Sequence, residues 1–169
     1  MMQTLEKRPK IKIEMTLTDK FLEVIGWSAA VLLWAMTAVY FTHLPENIPS
    51  HFNFAGKADD YGGRFTVFLL PVIGTVLFVL LTVLNKYPHI FNYPVKITPE
   101  NALKNYSMAA RFIRYLKFAL LLLFIFINYF TIQTAMGESS GLGIWIHVIM
   151  ILFLIVPLIF YVIKAFMAK

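Results

Sequence analysis

Four apolar stretches dominate this chain, each near or above the roughly 20 residues that a helix needs to cross the hydrocarbon core of a bilayer. They run at about 21–42, 65–84, 118–136 and 144–166. In that solvent each backbone N–H and C=O must find its partner within the protein, so helices are the expected form. The composition agrees, with 59% hydrophobic and only 14% charged residues, where soluble domains carry about a quarter charged. The expected fold is therefore an all-α integral membrane protein, a four-transmembrane-helix bundle. It has a structured outer loop between helices 1 and 2 and an amphipathic cytoplasmic helix before helix 3. Residues 1–15 are expected to form a tethered, mobile basic tail and 16–169 a single membrane domain. The first stretch reads as a retained span rather than a cleaved signal, because its apolar run is long and three more follow.

Charge sets an orientation. Of the 15 Lys and Arg residues, thirteen fall in the N-terminal tail, the connection between spans two and three, and the C-terminus. Only Lys57 and Arg64 lie on the other side. The positive-inside rule then places both termini in the cytoplasm and the 43–65 loop outside. The net charge of +6 flanks apolar segments instead of gathering on one soluble patch, which suits anionic headgroups and argues against nucleic acid. Cysteine is absent, so disulfides and thiolate metal sites are excluded.

Local signals sharpen this outline. Thr16 and Asp19 have the spacing of a capping box, and Glu23 lies just inside the first span at a helix N-terminus that favours negative charge. Gly26 and Ala30 offer a small-residue contact face. Pro71, Thr75, Phe78 and Thr82 share a face of span two. Thr98-Pro99-Glu100 reads as a helix start. After it, Ala102, Leu103, Tyr106, Ala109, Ala110, Ile113 and Leu116 make an apolar face, with Lys104, Arg111 and Arg114 on the other side as lipid-contacting cations. Asn128, Thr131 and Thr134 are spaced to face the bundle interior, and Trp145 and His147 stand near the outer interface.

The polar information is concentrated in His43–Phe65, a loop long enough to expect a function or disorder, and one whose apolar anchors disfavour disorder. Pro45 and Pro49 stiffen its start toward extended backbone. In His51-Phe52-Asn53-Phe54 the alternation puts His51 and Asn53 on one face and both Phe rings on the other. The following Gly-rich, Asp-rich segment is a turn. The expected result is a cap that lays Phe52 and Phe54 on the bundle and presents His51, Asn53 and Asp59 together.

The order of these residues resembles the DUF1648 membrane family of bacteria, a domain of unknown function that also forms the N-terminal half of SdpI-type immunity proteins. The family pattern L-P-x-x-I-P-x-H-F-N-x-x-G-x-x-D-x-x-G falls on Leu44, Pro45, Ile48, Pro49, His51, Phe52, Asn53, Gly56, Asp59 and Gly62. The run Asn92–Asn101 is similar to a second family stretch. The chain departs from the pattern at Ala58 and Asp60. The resemblance implies a bacterial cytoplasmic (inner) membrane location and a binding role for the loop motif. The SdpI-type proteins carry a further C-terminal membrane half, so it implies toxin immunity or signalling more directly for them than for this chain.

Three functional classes follow. The first is a non-enzymatic multi-pass membrane protein whose outer loop meets a peptide toxin, a membrane-protein partner or a second copy of the chain. No Ser-His-Asp arrangement, phosphate-binding glycine loop or HExxH motif is present, and no cofactor is expected. The second is an outer divalent-metal site or enzyme built on His51, Asn53 and Asp59, with Glu46, His43 or His147 as further ligands. The third is a small transporter or transporter subunit lined by Asn128, Thr75 and Glu23.

Overall fold

The computed structural model describes residues 8–167. Its elements are α1 (Leu17–Phe41), β1 (Asn47–Phe52), β2 (Ala58–Gly63), α2 (Arg64–Leu84), α3 (Pro99–Ala135) and α4 (Trp145–Met167). All four helices are long and apolar enough to cross a membrane. Those of α4 show it most plainly, since Leu152, Val156, Ile159 and Ile163 are all exposed along it.

Three expectations are corrected. The fold is not purely α, because β1 and β2 pair as an antiparallel ribbon inside the 43–65 loop. The amphipathic cytoplasmic helix expected before helix 3 is not a separate element. It continues without a break into the third span as the 37-residue α3. No Gly or Pro interrupts the sequence after Pro99, so nothing ends the i→i−4 ladder. At 1.5 Å per residue the helix is about 55 Å long, well beyond a hydrocarbon core of about 30 Å. The N-terminal tail, lastly, is docked where it is described. Ile11 and Ile13 pack against Ile97, Ala102 and Tyr106, and Arg8 Nη1 donates to the Phe91 carbonyl at 2.6 Å. Residues 1–7 of that tail lie outside the described residues.

α3 is the central helix, with α1, α2, β1 and α4 all packed against it. Its start is well defined: Thr98 N–H donates to Asn101 Oδ1 at 2.9 Å, with Pro99 in the first turn. α1 begins in the same manner, on a capping box between Thr16 and Asp19. The three-helix core is Ala29, Ala30, Leu33, Phe78 and Leu121. Gly26 lets the Phe78 ring lie directly on α1, where a Cβ would come within 2.8 Å of it. The small-residue face thus serves helix contact.

The prolines inside α2 and α4 each follow a turn that is not α-helical. α2 opens with a 3-10 turn, Arg64–Phe68, and Pro71 follows at the start of its α-helical part. Pro157 in α4 is preceded by a π-helical turn, Ile151–Ile155. A proline cannot donate to the carbonyl four residues earlier, which here is Phe153. Tyr115 of α3 supplies the missing donor, its hydroxyl lying 3.1 Å from the Phe153 oxygen. In the connection between α2 and α3, burial pushes the Tyr93 phenol well above its ordinary range; its hydroxyl donates to the Pro88 carbonyl at 2.9 Å.

Candidate functional site: a displayed ribbon and a buried ion network

The ribbon divides the loop motif into residues that seat it and residues that it displays. Leu44 and Ile48 are buried with Val67 and Ile132, which fastens β1 to α2 and α3. Pro49 is buried and Phe52 half-buried, the latter against Leu123, Leu142 and Ile146. Gly62 stands opposite Ile48, and a Cβ there would press on the Thr66 methyl at 3.1 Å. Pro45 is exposed at the start of the loop.

At the tip, Asn53 Oδ1 accepts from the N–H groups of Ala55 and Lys57 at 2.9 and 3.2 Å. It therefore shapes the turn. Gly56, at φ +72°, touches Gly143 of the turn between α3 and α4. Its carbonyl accepts from Leu142 N–H at 2.7 Å. Gly141, at φ +130°, lies against the same carbonyl, so neither position has room for a side chain. This staple ties the ribbon to a part of the chain far away in sequence.

What the ribbon displays is a His–Asp pair. His51 Nδ1 lies 2.6 Å from Asp59 Oδ1, with the two side chains 67% and 41% exposed. The ladder is irregular here, with register shifts on both sides of His51. Such a bulge re-aims side chains, and it brings Asp59 to His51. Asp60 and Tyr61 are also exposed. Phe54 is exposed as well, not laid on the bundle as Phe52 is, although its ring centroid is 4.5 Å from that of His147.

His51 and Asp59 hold each other through a hydrogen bond, and Asn53 Oδ1 is committed to backbone. Among the described residues no three His, Asp or Glu side chains gather as a metal site. His43 contacts its neighbour Thr42 at 3.4 Å, and the His147 ring meets that of Phe54.

A second polar cluster lies inside the opposite end of the bundle. Arg111, Arg114 and Lys117 of α3 face Asp19 and Glu23 of α1. Arg111 Nε is 3.0 Å from Asp19 Oδ1, and Arg114 Nε is 3.1 Å from Glu23 Oε1. Lys117 has no exposed side-chain surface; its Nζ is 2.7 Å from Glu23 Oε2 and 2.8 Å from Thr82 Oγ1. The same Nζ lies 4.4 Å from the centre of the Phe78 ring. The cations outnumber the carboxylates, so the Thr82 hydroxyl and the Phe78 ring supply the remaining stabilisation for Lys117. Farther along, Asn128 Nδ2 donates to Thr37 Oγ1 at 2.7 Å, with both residues buried. Trp34 Nε1 donates to Thr75 Oγ1 at 2.8 Å.

This cluster corrects the basic face. Lys104 is exposed, but Arg114 is buried and Arg111 is ion-paired to α1. Lys117 was not singled out in the sequence. The available signal was complementary spacing: cations at 111, 114 and 117 against acids at 19 and 23, each set on one helical face.

Comparison with known proteins follows the ribbon. A relative from Archaeoglobus fulgidus, described only as an uncharacterized protein, is 30% identical in an 88-residue alignment that covers 47% of this chain and 48% of the relative. The chain thus spans about half the length of the curated relative that it matches. No solved structure matches. Residues 29–75 match the family described as a domain of unknown function, DUF1648. That match runs from the middle of α1 through the whole ribbon into α2, so this part of the chain is similar to the DUF1648 family.

Proposed function

We propose that this chain is a non-enzymatic multi-pass protein of the cytoplasmic membrane that displays its ribbon outside as a docking element for a peptide or membrane-protein partner. Both termini are then cytoplasmic, as the charge asymmetry requires. The observation that carries the reading is the division of labour within the motif. Ile48, Pro49, Phe52 and Gly56 fix the ribbon on the bundle, while His51, Asp59, Asp60 and Tyr61 point away from it. A preorganised surface of this kind lowers the ordering cost of binding. Toxin immunity of the SdpI kind is the narrower form of the same proposal.

The absence of cysteine makes the topology directly testable. A membrane-impermeant maleimide should label Tyr61→Cys on intact cells and Tyr87→Cys only after permeabilisation. The reverse pattern would overturn the orientation. For docking, a photoreactive residue at Tyr61 should yield a discrete adduct that is lost in the His51→Ala, Asp59→Ala double variant. An adduct indifferent to that variant would remove the pair from the docking surface. For the narrower form, expression should protect sensitive cells from a membrane-active peptide toxin, and no protection would remove immunity.

A further inference from the structure

We propose that the cleft between α1, α3 and α4, at the end of the bundle that carries the ion network, binds one anionic phospholipid. This inference stands independently of the ribbon's role. The cleft measures about 940 Å³ and has two chemically distinct parts. Lys104, Arg111 and Lys164 line it, and no carboxylate of the described residues does. The rest of its wall is mostly apolar, including Met108, Phe112 and Phe160, with the hydroxyls of Thr18 and Ser107 among them.

The cations are available. Neither Lys104 nor Lys164 has an ion-pair partner among the described residues, and both are exposed. Lys164 Nζ lies 4.5 Å from the centre of the Phe160 ring, at the join between the charged and apolar parts. Arg111 spends Nε and Nη2 on Asp19 and Thr16 and keeps side-chain surface exposed. The apolar wall is firmly built, since Phe112 of α3 stacks on Tyr161 of α4 with centroids 4.5 Å apart and an interplanar angle of 9°. From Lys104 to Tyr115 that wall runs about 16 Å along α3.

Charge complementarity selects the occupant. A phosphate-bearing headgroup satisfies cations that the protein leaves unpaired, and an attached acyl chain covers the aromatic wall. Basic pockets between spanning helices suit this ligand class. A small hydrophilic anion would leave the wall bare. A second copy of the chain would bring like charges together at the mouth.

The test uses the full chain in detergent, titrated with phosphatidylglycerol, with phosphatidylcholine of the same acyl chains, and with inorganic phosphate. Phosphatidylglycerol at about a hundredfold above Kd should raise Tm by about 5–10 °C, and native mass spectra should show one bound lipid per chain. Phosphatidylcholine and inorganic phosphate should do neither. The Lys104→Gln, Lys164→Gln double variant should lose the preference, and Lys57→Gln should retain it. Both lysines are exposed and unpaired, so folding is preserved in the double variant. Equal stabilisation by phosphatidylcholine would overturn the proposal, as would an unchanged response in the double variant. Stabilisation by inorganic phosphate alone would assign the site to a free anion. Lipid-independent dimers broken by the double variant would assign it to a second copy.

Discussion

Lys117 is the residue whose environment decides most. Its ammonium is wholly buried and depends on Glu23, Thr82 and the Phe78 ring. Removing one member of a buried pair strands the other, at a cost of roughly 3 kcal/mol. Glu23→Gln is therefore expected to lower unfolding free energy by about that amount in detergent. Adding Lys117→Met should recover much of it, and a double-mutant cycle without coupling would show the pair to be idle. The exposed His51–Asp59 pair sits at the other extreme. Its contribution to stability should stay below about 1 kcal/mol, so His51→Ala should leave the melting curve almost unchanged. Gly56→Ala, at a positive φ and against Gly143, should instead expose the ribbon to limited proteolysis. Sequence pattern identified His51, Asp59 and the capping residues because each depends on near neighbours. It missed Lys117 because the partner of that lysine is 94 positions away.

Among elements, α4 is the one whose regularity depends on another helix. Pro157 lacks the N–H that an α-helix would direct at Phe153 O, and Tyr115 donates there instead. Tyr115→Phe should cost about 1 kcal/mol and speed amide exchange around the π turn more than in α1 or α2. Equal exchange in all four helices would show that the hydroxyl does not hold α4. The close contact of α1 and α2 depends on Gly26. Gly26→Val should force the Phe78 ring away and cost about 1–3 kcal/mol by overpacking, read from thermal unfolding. The helices were legible in the sequence because bilayer crossing requires about 20 apolar residues. The unbroken α3 was not, because its polar first half and apolar second half read as two environments when backbone continuity ignores that change. The ribbon was also hidden: proline and glycine in Asn47–Gly63 signal turns more loudly than strands.

At the scale of the molecule, α3 joins two polar ends of different character, one buried and ionic, the other displayed on a ribbon. The bundle and its charge asymmetry could be read from composition and order, whereas the assignment of each charge to solvent, lipid or partner needed three-dimensional packing. The staple between Gly56 and Leu142 also has a consequence for how the protein is made. The ribbon is synthesised early, between the first two spans, yet its seat is not complete until Ile132, Leu142 and then Ile146 have followed. Any ribbon exposed on the far side of the membrane must therefore wait, unseated, while the ribosome delivers the third span and the turn beyond it. The last contact to form belongs to one of the first segments made, so a fully seated ribbon requires that α3 and the start of α4 are already in place.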